Sequence, residues 1–220
     1  MFRLFVSPPT RFFHLLLLVS VTHAFTSFAS AEERPGLLFR EDWKETPAEL
    51  PVNQSHVAHP DLILHLHGES KDLIKKSNHD KPADDPYYIW SGRSVSSNWA
   101  VSLEPKSGPF DLTGQAKVRW RSKQSGFRIL RIIIQLENGD WLVSNVGDGA
   151  SNDWREREFI MANVAWRKLN MELIVEEHPI VENPDLSRVK QIGFTDLMTG
   201  GNSRACSRLD WIEVYARPSA

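Results

Sequence analysis

Three observations predict an all-β fold, an antiparallel jelly-roll β-sandwich. Short apolar or alternating segments recur along the chain with turn residues between them. No segment of helical length keeps an apolar period of 3.6 residues. The pair Asn138-Gly139 separates two apolar segments, which is typical of a tight β-hairpin turn. Many short strands without long helices favour a sandwich or jelly roll over a parallel α/β sheet.

The segments with strand composition are 61–67, 98–105, 116–122, the hairpin 127–145, 154–160, 190–197 and 208–216. Short helical turns are predicted near 72–76 and 184–189. No internal repeat or low-complexity tract divides the chain. We therefore expect one β-sandwich domain over 32–220.

Strand alternation assigns faces to the central segments, because successive side chains point to opposite sides of a sheet. The apolar positions, expected in the core, are Val118, Trp120, Leu130, Ile132, Ile134 and Leu136. The intervening polar positions are Arg119, Arg121, Arg131 and Gln135. We expect these four to share one exposed sheet face.

Residues 1–31 have the three parts of a secretory signal peptide. Two arginines without an acid precede an apolar run at 12–21, and small residues follow at 29–31. The apolar run is shorter than the ~20 residues of a membrane-spanning helix. The sequence therefore predicts cleavage before Glu32, a secreted or periplasmic protein, and no stable membrane insertion.

Charge and cysteine content argue against several classes of function. Without the two arginines of 1–31, the formal net charge changes from -2 to -4, and no Lys/Arg-rich run remains. Nucleic acid is therefore not an expected partner. Cys206 is the single cysteine, so no intrachain disulfide is possible and a packed core must stabilise the fold.

From Phe110 onward the sequence resembles a known family. The segments that carry the resemblance are FDLTGQAKVRWRSK, RIIIQLENGDWLVSN, DWREREF, NPDLSRVKQIGF and LDWIEVYA. They resemble the galactose-binding-like β-sandwich, especially the family-11-like carbohydrate-binding modules and the related domain of complex I intermediate-associated proteins. The resemblance covers about the last half of the chain and implies a scaffold more directly than an activity.

The resemblance also implies a structural calcium ion, held between the first and last strands. Here the first strand would be LLFREDW, with Glu41 or Asp42 available, and the closing strand offers Asp210. Oxygen ligands from distant parts of the chain suit a hard cation, which would link the two ends of a disulfide-free domain. The alternative is that Asp42 and Asp210 are ordinary surface carboxylates. No other cofactor is expected.

Histidines concentrate between His56 and His79, which hold five of the six beyond residue 31. His65 and His67 are two apart on a predicted strand and point to the same side. With a third ligand they could bind zinc or another divalent ion. A second possibility is a polysaccharide lyase, which needs a group to neutralise a uronate carboxylate and a His or Tyr acid and base. The catalytic candidates are His65, His67, Tyr88 and Arg93.

The leading expectation is carbohydrate binding without catalysis. Trp90 and Trp141 adjoin turns, where an exposed indole can stack on a sugar. Arginine forks suit carboxylate and sulfate groups, so the sequence favours an acidic glycan, uronate-containing or sulfated. The candidate binding residues are Trp90, Arg119, Arg121, Arg131, Gln135 and Trp141.

Two alternatives remain open beside the lyase. The arginines could instead pair across strands with Glu137, Glu156 or Glu158, and the domain could serve a structural or protein-interaction role. The stretch 77–93, SNHDKPADDPYYIWSGR, is too aromatic for a linker. It is either part of the site or a polar corner of the core.

Overall fold

Two antiparallel β-sheets pack against each other in the computed structural model, which describes residues 34–77, 87–91, 98–199 and 203–219. Their facing side chains form one continuous apolar core. The fold class predicted from sequence is confirmed. The predicted signal segment 1–31, His79, Arg93 and most of the stretch 77–93 lie outside the described residues.

The small sheet has six strands within the described residues. In spatial order these are β10 (Arg155–Ile160), β7 (Lys117–Gln124), β14 (Ser207–Tyr215), β4 (Tyr88–Trp90) and β3 (Lys75–Ser77), and β1 (Leu37–Glu41) pairs with the far half of β14. Pairing with β14 therefore joins the beginning of the domain to its end.

The large sheet has nine strands within the same residues. Its order is β12 (Val175–Val181), β11 (Trp166–Asn170), β9 (Trp141–Asp148), β8 (Leu130–Leu136), β13 (Val189–Thr195), β5 (Ala100–Pro105) and β2 (Leu62–His67), with β6 (Phe110–Asp111) and β15 (Arg217–Pro218) beside β13. Single 3₁₀ turns occur at Gln54–His56, Lys71–Leu73 and Met161–Asn163. In the part of the chain just described, no helix is long and apolar enough to cross a membrane.

Side-chain alternation in the central strands agrees with the prediction. All six apolar positions assigned to the core are buried in it. The hairpin turn is confirmed as well, because Gly139 has a positive φ of 93° and its amide donates to the Leu136 carbonyl. Only glycine adopts this backbone conformation at no steric cost.

The sequence misjudged three local elements. The helical turn predicted near 72–76 is a shorter 3₁₀ turn at Lys71–Leu73, and Lys75 and Lys76 belong to the strand Lys75–Ser77. The segment 184–189 contains no helix. Residues 164–183 fold into the β11–β12 hairpin, which the sequence did not predict.

Candidate functional site

The predicted face of three arginines and a glutamine does not form. Arg119 and Arg121 lie on β7 in the small sheet, whereas Arg131 and Gln135 lie on β8 in the large sheet. The prediction failed because consecutive strands were taken as neighbours. In fact β7 pairs with β10 and β14, while β8 pairs with β9 and β13.

The small-sheet arginines are engaged in cross-strand ion pairs, the alternative that the sequence left open. Arg119 donates to Glu213 at 3.1 Å and to Glu156 at 3.0 Å. Arg121 donates to Asp210 at 2.8 Å. Opposite charges therefore alternate across this surface, and it is not the anion-binding patch that the sequence predicted.

The two aspartates proposed for calcium are paired with arginines. Arg40 Nε contacts both oxygens of Asp42, at 2.8 and 2.9 Å, and Asp210 is held by Arg121. Glu41 is buried, and its carboxylate accepts three backbone N–H groups. Within the described ranges no cluster of three His, Cys, Asp or Glu side chains could hold a metal. This donor set does not fit a calcium ion, because guanidinium groups occupy both oxygens of Asp42 and one of Asp210, and backbone N–H groups occupy Glu41.

The catalytic candidates are divided between the sheets. His65 and His67 lie on β2 of the large sheet, whereas Tyr88 is buried on β4 of the small sheet against Trp154, with ring centroids 5.3 Å apart. Arg93 lies outside the described residues. Among the described residues, His65, His67 and Tyr88 therefore do not form one acid–base site.

The two tryptophan candidates are separated in the same way. Trp90 is half-buried on β4, with the Lys75 ammonium 5.9 Å from its ring centroid. Trp141 begins β9 in the large sheet, beside Gln135 of β8. Of the two, only Trp141 shares a sheet with the histidine pair.

The outer surface of the large sheet does bring several predicted residues together. It carries an aromatic side chain, two imidazoles, two amides, a hydroxyl and a carboxylate. We call this set the polar groove, and its members are His65, His67, Ser102, Glu104, Gln135, Trp141 and Gln191. Ser102, Glu104 and Gln191 were not singled out from sequence, although each alternates with core residues on its strand.

Hydrogen bonds connect the groove into one directed network. The Ser102 hydroxyl donates to Gln191 Oε1 at 2.7 Å, so it must accept from His67 Nε2, 2.9 Å away. Gln191 Nε2 donates to Glu104 Oε2 at 3.1 Å. His65 Nε2 donates to the same oxygen at 2.8 Å. Donation therefore runs from both imidazoles toward the Glu104 carboxylate.

This network is not a nucleophilic serine–histidine pair. Such a pair needs an accessible hydroxyl whose proton the imidazole accepts. Ser102 is fully buried and its proton is directed to Gln191. Burial, with smaller contributions from His65 and Lys71, lowers the pKa of His67 to about 4. His67 is therefore neutral and donates through Nε2. It orients the hydrogen bonds of Ser102 and Gln191 and does not activate the Ser102 hydroxyl as a nucleophile.

Strong curvature makes this surface a groove. The rings of Trp141 and His67 are 5.2 Å apart between centroids, although β8, β13 and β5 lie between their strands. In a flat sheet, four strand spacings would separate the two backbones by about 19 Å. The sheet therefore curls across its strands, and the groove runs along them.

A segment of the β11–β12 hairpin crosses the groove. We call residues 169–176 the strap. Ile174 at its tip is fully buried among Ala100, Ile133 and Val143, on β5, β8 and β9. Its φ of 51° is rare for a β-branched residue, which marks a conformation imposed by the surrounding structure. The strap thus covers the sheet far from its own strands.

Solved structures are similar to this chain at low sequence identity. No family model matches the chain, and no curated protein matches it either. A family 29 carbohydrate-binding module is 14% identical, over 78% of this chain and 93% of that module, with a TM-score of 0.45. A family 11 module from Clostridium thermocellum, solved with a β-1,3-1,4-mixed-linked tetrasaccharide, is 12% identical over 80% of this chain and 100% of that one, with a TM-score of 0.42.

An exo-beta-agarase is 10% identical, over 73% of this chain and 23% of that longer protein, with a TM-score of 0.44. Family 11 modules, which the sequence resembles, are thus among the similar structures.

Proposed function

We propose that the polar groove binds a carbohydrate, with Trp141 as the stacking surface. The observation that carries this proposal is a half-buried indole beside amide, imidazole and carboxylate groups on a concave sheet surface. Concave sites that combine an aromatic surface with a few positioned polar groups are typical of small-ligand recognition. The indole would stack on the apolar face of a sugar ring, while polar side chains bind its hydroxyls.

A neutral glycan fits the groove better than the acidic one predicted from the arginines. Glu104 presents a carboxylate there, which would repel a uronate or sulfate, and Arg131 is already paired with Glu176 at 2.8 Å. Gln135 Oε1 is buried and has no hydrogen-bond partner within the described part of the chain. An unsatisfied buried acceptor is costly, so this amide would gain a hydrogen bond by turning toward a ligand hydroxyl.

Export is part of the proposal. Its support is the signal-like composition of 1–31, with arginines, an apolar run and small residues in order. A glycan-binding protein meets polymeric carbohydrate most readily outside the cytoplasm. Mass determination of the mature chain from culture medium or periplasm tests the predicted start at Glu32.

The binding experiment compares neutral with acidic glycans. Affinity electrophoresis in gels containing mixed-linkage β-glucan, agarose, alginate or a sulfated galactan is expected to show retardation by a neutral polymer only. Trp141→Ala should weaken that binding by about tenfold or more, because stacking on an aromatic ring is lost. Trp154→Ala, at the small sheet beside Tyr88, is the matched control and should bind as the unaltered protein does.

Two outcomes contradict the proposal. Retardation that survives Trp141→Ala but is lost in Trp154→Ala would move the site to the small sheet. Binding only to alginate or the sulfated galactan would restore the acidic preference. Release of unsaturated uronate products in the same incubations would support the lyase alternative.

A further inference from the structure

We propose that the polar groove is closed at one end by the strap and therefore binds the terminus of a glycan chain, not its interior. This inference rests on the proposed carbohydrate function. It adds that the ligand is the end of a glycan chain, which enters the groove from one side only. The argument depends on where the strap lies, how firmly it is held, and which part of the groove stays accessible.

The strap lies across the axis of the groove. It separates from β9 after Lys168, while Leu169 and Asn170 still pair with β12, and its tip reaches the strands near the opposite edge. There Asn98 Nδ2 donates to the Ile174 carbonyl at 2.7 Å. Because the groove runs along the strands, a segment that passes from β11 to β5 blocks it.

Several contacts fix the strap in this position. Arg131 on β8 pairs with Glu176 at the return of the strap. A Cβ at Gly68 would lie 2.5 Å from the Asn98 carbonyl oxygen and 2.8 Å from Ile174 Cγ1, so these groups pack as closely as a glycine allows. Met171 and Trp141 pack against the same buried cluster. The strap is therefore held firmly across the groove, and it also packs against Trp141, the proposed stacking residue.

Accessibility differs sharply between the two ends of the groove. On the strap side Ile133, Val143 and Ile174 have no exposed surface, although the first two lie on the outer side of the sheet. On the other side the Glu104 side chain is 22% exposed, and Gln135 and Trp141 are half-buried. A ligand can therefore enter from the Glu104 end and must stop at the strap.

The distance available supports an end-on ligand. Gln135, at the open side, and Arg131, which pairs with the strap, are four residues apart on β8, or about 13 Å. A chain that bound through its interior would have to continue past Ile174, where packed side chains fill the path.

The test varies the number of chain ends at constant mass. Mixed-linkage β-glucan and agarose are each used intact and after partial acid hydrolysis, and titration calorimetry measures the amount of protein bound per gram. End recognition predicts that this amount rises in the same ratio as the number of chain ends. An unchanged amount per gram would overturn the inference and leave the proposed function standing. Binding to neither polymer nor its fragments would overturn both.

Variants of the strap test whether it causes the dependence of binding on chain ends. Ile174→Gly removes the wall side chain at a backbone conformation that glycine adopts freely, so binding per gram should become less dependent on chain ends. Leu173→Gly, in the same turn but 65% exposed, is the matched control and should keep the full dependence. If Ile174→Gly does not fold, Asn98→Ala releases the strap by removing its hydrogen bond. Dependence on chain ends that is unchanged in a folded wall variant would overturn the role of the strap.

Discussion

Trp141 and His67 are in ring contact across the curled large sheet, at 5.2 Å between centroids, and this contact joins an aromatic surface to a hydrogen-bond network. His67 can hold its place only as a donor to Ser102, whose proton is committed to Gln191. Nε2 of His67 therefore carries a proton in the native structure. Burial lowers the pKa of His67 to about 4, so the ring is neutral near pH 7.

We predict that acid weakens the fold through His67. The unfolded chain takes up a proton there near pH 6.5, whereas burial holds the folded pKa at about 4. Between these values the unfolded state binds more protons, so the free energy of unfolding falls as pH falls from 6.5 to 4. With allowance for solvent screening of a half-buried ring, the contribution is on the order of 1–2 kcal/mol.

Urea unfolding across this pH range measures the effect. His67→Gln should show a shallower loss of stability toward pH 4 than the unaltered protein, because the titrating ring is gone. His178→Gln, at the exposed strand β12, is the control and should keep the original slope. Equal slopes for all three proteins would contradict the assignment to His67.

We predict that Gly193→Ala is strongly destabilising. Gly193 lies at the centre of the large sheet, where an added Cβ would stand 1.9 Å from the Val101 carbonyl oxygen and 2.6 Å from Ser102 Cα. Backbone atoms cannot move aside cheaply, so β5 and β13 would have to separate. We expect a loss of roughly 3 kcal/mol or more in unfolding free energy. Gly36→Ala, with open space around the added methyl, should change it little.

Local pattern was enough to predict most of the central strands and their core-facing sides. In β8, Leu130, Ile132 and Ile134 alternate with residues on the other side, and membership of the main core follows that period. The Asn138-Gly139 turn was also predictable, because its backbone conformation favours these two residue types. Strand alternation and hairpin turns depend on residues that are close in the chain, so they can be predicted from sequence.

Pairing between distant strands was not predictable in this way. Arg119 and Arg131 have the same alternating context, and only the assembled core places them in different sheets. Sequence predicted part of the polar groove. His65, His67, Gln135 and Trp141 were candidate site residues, whereas Ser102, Glu104 and Gln191 were not. The strap was missed because Leu169 and Ile174 look like ordinary apolar residues until the sheet beneath them is seen.

We predict that calcium does not stabilise the protein. A bound ion would raise the melting temperature, by an amount that grows with the logarithm of its concentration relative to its dissociation constant. Here Arg40 and Arg121 already occupy the carboxylates of Asp42 and Asp210, so excess calcium and excess EDTA should give the same melting temperature. A calcium-dependent increase that Asp210→Asn abolishes would reinstate the site implied by the family resemblance.

We predict that Glu41 stabilises the start of the domain as a buried acceptor of hydrogen bonds. Its Oε1 accepts from the Trp43 amide at 2.8 Å and the Ala58 amide at 2.7 Å, while Oε2 accepts from the His59 amide at 2.9 Å. Trp43 has a φ of 56°, so this carboxylate also holds a left-handed turn. Burial raises the pKa of Glu41 above its ordinary value, against the effect of these donors.

Glu41→Gln keeps the shape of the side chain but turns one acceptor into a donor. At least one of the three backbone N–H groups would then face an amide N–H and stay unsatisfied, a cost of roughly 2 kcal/mol. Urea unfolding at neutral pH should show that loss, with Glu182→Gln at an exposed position as the control. If Glu41→Gln is as stable as the control, the carboxylate is not what holds this turn, and the packing of Trp43 in the core is the remaining cause.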